Sequence, residues 1–298
     1  MKVFIDTDCG VDDAIALIMG SKREDIEILG ISTVSGNVHV DQATENVLKI
    51  LTFLDKDIPV FKGATKPLVQ KLVTAEAFHG PEGLGRAKFP KPNKREEKIR
   101  APEGLYEIAR ENKGLNLITL GPLTNIAIAL NLYPDLKNYL GNVYIMGGAI
   151  ETGNITRFAE FNLYTDPEAS EVVLSSGLDI TLLTWDATIK APFFEEELLE
   201  IIPRKDELSK IFWDLIGNSI DYIEKILGMR ATLFPDPLCM VTSWDKKLIK
   251  RMVLGKIKME LNYNTMRGAS ILTEGEDVKI IMDVDKEVFK KYLINTFN

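Results

Sequence analysis

The chain has 298 residues, with 36 Lys and Arg against 44 Asp and Glu, a formal net charge of −8, and 45% apolar and 27% charged residues. That balance excludes a disordered chain, which pairs low apolar content with high net charge. An acidic chain without a basic tract also argues against nucleic acid as a partner.

At the N-terminus, Asp6 and Asp8 arrive too early for the apolar core of a signal peptide. No apolar run reaches the ~18 residues that span a bilayer, so no membrane association is expected. The only cysteines are Cys9 and Cys239, which is no disulfide framework; a reduced, cytoplasmic protein with two buried thiols is the expectation. The only histidines, His39 and His79, leave too few nitrogen ligands for a His-rich zinc site.

Short β-rich runs at 3–8, 26–34, 116–120, 143–147 and 179–185 alternate with helical apolar spacing at 12–20, 40–54, 102–112, 123–132 and 166–176. Continuous apolar strands between helices predict an α/β fold: an open, mostly parallel, Rossmann-like sheet flanked by helices, with ligands at the carboxyl ends of its strands. Residues 62–101, rich in Gly, Pro and Lys, read as a long loop region. Residues 194–245 read as mainly helical with an interruption at LFPDP (233–237), residues 252–284 as strands, and 285–297 as a closing helix. No repeat, low-complexity tract or linker divides the chain, so residues 1–298 read as one domain.

The strongest local signal is Asp6-Thr7-Asp8-Cys9-Gly10-Val11-Asp12-Asp13. Four carboxylates fall within eight residues at the end of the first strand, alternation sending Asp6 and Asp8 to one side, and Asp12 and Asp13 open a helix. One acid there can cap the helix, but capping needs one, not four. Converging carboxylates repel unless a cation or protons intervene, and an all-oxygen set suits Ca²⁺ or Mg²⁺. Asp236, held between Pro235 and Pro237, is a further acid with a restricted backbone. By themselves Asn37 and Asn154 read as turn residues beside glycine, and Glu160 and Asn162 as a solvated strand edge.

The pattern DTDCGVDDAIAL resembles the DTDxGxDDA signature of the inosine–uridine-preferring nucleoside hydrolase (ribonucleoside hydrolase) family. The resemblance continues in order through TVSGNV (33–38), FHGPEGLG (78–85), LGPLTNIA (120–127), IMGGA (145–149), GNITRFAEFNLYTDPEA (153–169), PDPL (235–238) and MRGASI (266–271). It implies the nucleoside hydrolase fold and hydrolysis of the N-glycosidic bond of ribonucleosides to ribose and free base, with Ca²⁺ as cofactor. It makes Asp8, Asp13 and Asp236 the carboxylate ligands of that ion, joined by a main-chain carbonyl, that of Leu120, with Asp6 as a buttress. Asp8 is then also the general base for the attacking water. The resemblance further implies that Asp12, Asn37, Met146, Asn154, Glu160, Phe161 and Asn162 bind the ribose. Asp12 would lie on the 2′-hydroxyl side, Asn154 and Glu160 toward the 5′-hydroxyl, and Met146 under the sugar. His79 falls on the base side, where Tyr222 is placed to approach; His39 reads as a surface residue. A homodimer or homotetramer is the family expectation.

One position departs from the pattern. Where well-known members carry a His directly before the last metal Asp, this chain has Pro235, which has no proton to donate; the nearest ring is Phe234. A purine, whose N7 is protonated more readily by solvent or a weak acid, is therefore expected to be slightly favoured. Cys9 stands where the signature commonly has Pro. Two other readings of the acid cluster exist. In a Mg²⁺ phosphatase Asp6 would be the nucleophile, but Gly10 stands where that motif needs Thr or Val. A non-catalytic, metal-dependent ribose- or nucleoside-binding protein would bind tightly without releasing free base.

Overall fold

The computed structural model describes residues 1–298. In chain order the elements are β1 (Lys2–Thr7), α1 (Val11–Ser21), β2 (Glu27–Thr33), α2 (Val40–Phe53), β3 (Val60–Lys62), α3 (Glu76–His79), α4 (Ala101–Glu111), β4 (Leu115–Thr119), α5 (Thr124–Leu132), β5 (Leu140–Met146), α6 (Phe161–Thr165), α7 (Pro167–Leu174), β6 (Asp179–Leu183), α8 (Trp185–Thr188), β7 (Phe193–Phe194), α9 (Glu195–Ile201), α10 (Glu207–Leu227), β8 (Ala231–Thr232), α11 (Pro235–Trp244), β9 (Ile249–Met259), β10 (Ser270–Val284) and α12 (Lys286–Phe297).

Eight strands form one sheet in the order β3-β2-β1-β4-β5-β6-β10-β9. Every neighbouring pair is parallel except β10 with β9. β1 shows how the sequence builds the layers. Its side chains alternate, so Val3 and Ile5 enter the larger core with α1, α2, α10, α11 and α12. Phe4 points the other way, into the smaller core with α4, α5 and α7. Each such side chain taken from water contributes about 1.5–3 kcal/mol. The strand order reverses between β1 and β4, and in an open parallel sheet the crevice at that switch point, at the carboxyl ends, is where ligands bind. Asp8 follows β1 and Leu120 follows β4, so the topology brings both to that crevice.

The predicted strands and helices are present with small shifts at their ends. The region 62–101 is not wholly a loop: it begins at the last residue of β3, an edge strand too short for its pattern to register, and holds α3. The stretch 161–165 is helical, and Glu160, itself extended, caps it by accepting the N–H groups of Asn162 and Leu163 with its side chain, so Glu160 and Asn162 are not a strand edge. The break expected at 233–237 instead covers residues 228–234, with β8 inside it, and a further break at 202–206 separates α9 from α10. Pro235 opens α11, a position where the missing N–H costs nothing. The long helix α10 is bounded by the Asp206 capping box and by Gly228 at φ +69°. No helix is long and apolar enough to cross a membrane.

Candidate active site

β1 ends at Thr7, so strand alternation no longer places Asp8. The turn that follows is built around Cys9, whose φ of +32° is rare for a residue with a side chain. Two bonds hold it there: the Cys9 N–H donates to Thr7 Oγ1 at 3.0 Å, and its carbonyl accepts from Asn46 Nδ2 at 3.1 Å. A proline, fixed near −65°, would not fit this backbone, which is a physical reason for the departure from the signature at Cys9. Cys9 and Cys239 are both buried and both free.

Every acid of the turn is buried. Thr7 Oγ1 donates to Asp13 Oδ1 at 2.5 Å, and the Gly10 N–H donates to Asp13 Oδ2 at 2.7 Å. Asp8 Oδ2 accepts the Asn37 N–H at 2.6 Å. The Asn37 side-chain amide reaches Asp8 Oδ1 at 3.2 Å and Asp13 Oδ2 at 3.0 Å, tying the two acids together. Glycine is required on both sides of Asp8. A Cβ on Gly121 would lie 2.9 Å from Asp8 Oδ1, and one on Gly36 would collide with Asp8 Oδ2. Asp6 takes hydrogen bonds from Ser32 and, at 2.7 Å, from Asn125 Nδ2. That arrangement makes it a support beneath the turn.

Carboxylate oxygens of Asp12, Asp13 and Asp236 lie within 4.8 Å of one another. None of the five acids pairs with a Lys or Arg; the one cationic-type neighbour is His79, 3.6 Å from Asp12. Burial, then mutual repulsion, pushes the group upward. Asp12 is raised to about 8 by burial and the Asp13 charge. Asp6 is raised to about 7 by burial, against the bonds from Asn125 and Ser32. Asp8 and Asp236 lie well above the usual carboxylate range, burial again leading. Asp12 Oδ1 and Asp6 Oδ2 are buried with no hydrogen-bond partner. Oxygen-only donors with unpartnered oxygens and no protein cation fit a hard divalent ion.

The Leu120 carbonyl accepts from Asn162 Nδ2 at 2.7 Å, and the same amide reaches the Met146 carbonyl at 3.2 Å and its Sδ at 3.4 Å. Asn162, Leu120 and Met146 are thus brought together. Glu160 accepts three backbone N–H groups, from Asn162, Leu163 and Gly148, at 2.8–3.1 Å. Burial raises its pKa and those bonds oppose the rise. Asn154 is exposed, with its Oδ1 accepting the Phe161 N–H at 2.8 Å. On the other side, His79 Nδ1 accepts the Val11 N–H at 3.1 Å, which puts the imidazole proton on Nε2. Burial holds its pKa down at about 3, so the ring is neutral. Phe78 packs edge-on against both His79 and Tyr222, with centroids at 4.9 and 5.5 Å, linking Tyr222 to this wall. Phe234 is not available to a base: it is buried among Phe193, Phe212 and Phe289. His39 is at the surface and caps α2.

Sequence reasoning passed over Thr7, Asn125 and Asn46, which hold the acidic turn, and Ser270 and Asp186, which hold the loop after β5. Asn125 and Ser270 lie inside quoted motifs, so the motifs were visible and only the bonds were not. Asp186 directly follows the run 179–185 read as a strand and has no role in that reading.

The family model described as inosine-uridine preferring nucleoside hydrolase matches residues 3–291. A pyrimidine-specific ribonucleoside hydrolase, RihA of Salmonella schwarzengrund, is 36% identical, covering 97% of this chain and 96% of its own. Among solved structures, the plant nucleoside hydrolase PpNRh1 superposes with a TM-score of 0.93 at 28% identity, covering 99% of this chain and 98% of its own. An inosine-guanosine nucleoside hydrolase does so with a TM-score of 0.91 at 30% identity, covering the same shares.

Proposed function

The chain belongs to the inosine-uridine preferring nucleoside hydrolase family, enzymes that cleave N-glycosidic bonds, and from that premise we propose that it is a Ca²⁺-dependent ribonucleoside hydrolase that slightly favours purines. The observation that carries this reading is the convergence of buried carboxylates, without a protein cation, at the switch point of the sheet.

In this reading Asp8, Asp13, Asp236 and the Leu120 carbonyl hold the ion. Calcium bound there would neutralise the cluster and make a water more acidic. Asp8 accepts the proton of the attacking water. Burial and then the Asp13 charge raise its carboxylate above the ordinary value, which makes it a stronger proton acceptor than a free aspartate. Asn37 fixes its orientation from both backbone and side chain. Asp12 takes the 2′-hydroxyl, and Met146, Asn154, Glu160, Phe161 and Asn162 seat the ribose. Bond cleavage leaves positive charge on the sugar, which the surrounding carboxylates stabilise.

The leaving base receives no proton from position 235, since Pro235 opens α11 and Phe234 is in the core. His79 offers it a neutral N–H rather than a proton, with Tyr222 beyond Phe78 on the same wall. Protonation from solvent favours a purine N7. The opposite preference is a second reading, favoured by the 36% identity to RihA, a protein named as pyrimidine-specific. Steady-state rates on inosine, adenosine, uridine and cytidine, read as reducing sugar, decide between them. Faster inosine cleavage supports the purine reading, and faster uridine cleavage replaces it with the pyrimidine one. Tight nucleoside binding without any ribose release would instead leave a binding protein.

The same reading makes residues 1–298 one domain, since strands from both ends of the chain share one sheet. It places the protein in a reducing cytoplasm, supported by the two free thiols. A homodimer or homotetramer rests on the family, and sedimentation measures it.

A further inference from the structure

Asp186 is 1% exposed and has no ion-pair partner. Leaving a buried carboxylate unpaired is costly unless hydrogen bonds replace its water. Here three consecutive backbone N–H groups do so. Ile150 donates to Oδ2 at 2.7 Å, and Glu151 and Thr152 donate to Oδ1 at 2.9 and 3.2 Å. The neighbouring Trp185 N–H donates to the Gly148 carbonyl at 2.9 Å. Ser270 Oγ both donates to and accepts from the Ala149 backbone at 2.8 Å. Residues 148–152, which belong to no helix or strand, are thus fixed from β10 and α8.

The next residues are held from their far side, where Asn154 Oδ1 accepts the Phe161 N–H at 2.8 Å. Gly153 and Asn154 make backbone bonds only within the same loop, to Arg157 and Ala159, and Asn154 is exposed. The placement of Asn154 is therefore set from two sides, by the segment that Asp186 grips before it and by the Phe161 N–H and Ala159 carbonyl after it. We propose that Asp186 is a positioning residue for recognition of the ribose 5′-hydroxyl, acting through Asn154. The inference rests on the reading of Asn154 as a 5′-hydroxyl contact.

The test compares kcat/KM on whichever of inosine and uridine is cleaved faster with kcat/KM on its 5′-deoxy counterpart. The proteins are wild type, Asn154→Ala, Asp186→Asn and Asp186→Ala. Wild type prefers the 5′-hydroxyl substrate by roughly three- to tenfold, the range of one neutral hydrogen bond. Asn154→Ala and Asp186→Ala both bring that ratio close to one. Asp186→Asn gives an intermediate ratio, because its amide oxygen still accepts while its NH₂ faces a donor. A general structural defect would lower both substrates by the same factor and leave the ratio alone. If Asn154→Ala loses the preference while both Asp186 variants keep the wild-type ratio, the inference is overturned and the Asn154 reading stands. If Asn154→Ala keeps the wild-type ratio, the Asn154 reading fails and this inference with it. Should Asp186→Ala not fold, Asp186→Asn carries the comparison.

Discussion

The side-chain amide of Asn162 donates to the main-chain carbonyl of Leu120 across 2.7 Å. A residue expected to hold the sugar thus also orients a carbonyl expected to hold the ion. Groups that orient a metal's ligands typically matter ten- to hundredfold for its affinity. Asn162→Ala is expected to weaken Ca²⁺ binding by about that factor, measured by calcium titration calorimetry. Unchanged calcium affinity would confine Asn162 to the ribose.

Asp8 is placed by two bonds from Asn37 and by close contact with Gly36 and Gly121, so Asp8→Asn keeps the volume while removing the base and one charged ligand, and turns its NH₂ toward an Asn37 donor. Asp8→Asn should lower kcat by about 10²–10⁴, the usual share of a general base. A ribose analogue should still bind in part. Both are read from steady-state kinetics with and without the analogue as inhibitor. An unchanged kcat removes Asp8 from the base role.

How much of this was legible beforehand differs from residue to residue. The alternation of apolar strands and helices carried the sheet, because burial on both faces leaves a pattern in the chain. The acidic turn was legible because four carboxylates in eight residues have no economical structural explanation. β3 was not, since three residues at a sheet edge are too few to show a period. The helical state of 161–165 depends on one side chain, Glu160, folding back onto its own backbone, and alternation cannot show that. The reach of Asp186 to 150–152 joins positions more than thirty apart and exists only once the fold is formed.

Removing the ion should expose the repulsion within the cluster. Asp6 and Asp12 have folded-state values of about 7 and about 8, above the ordinary carboxylate value near 3.9. Between about pH 4 and 8 the folded, ion-free protein therefore binds more protons than the unfolded chain, and its stability falls as pH rises through that window. Bound calcium offsets this charge. Chelation with EGTA is expected to abolish activity, reversibly on adding Ca²⁺. The melting-temperature gap between calcium-loaded and chelated protein should widen from pH 5 to pH 8. A gap that does not depend on pH would mean that no ion sits on these carboxylates.

His79 gives the opposite sign at the acid end. Its folded-state pKa of about 3 lies below the ordinary value of 6.5, because burial disfavours the charged ring. Between those values the unfolded chain binds a proton that the folded protein does not, so stability is lost as pH falls from about 6.5 toward 3. Carboxylates titrate over part of the same range, so a single profile would mix the two. His79→Asn separates them. An asparagine oxygen can still accept the Val11 N–H that Nδ1 now takes, but it has no titration of its own. With saturating Ca²⁺, urea unfolding at pH 7.5, 6 and 5 should show the advantage of wild type over His79→Asn shrinking below pH 6.5, by up to about 1.4 kcal/mol per pH unit. Parallel profiles would mean that the folded imidazole takes up its proton as readily as the unfolded one, so that the buried ring is charged rather than neutral at acid pH.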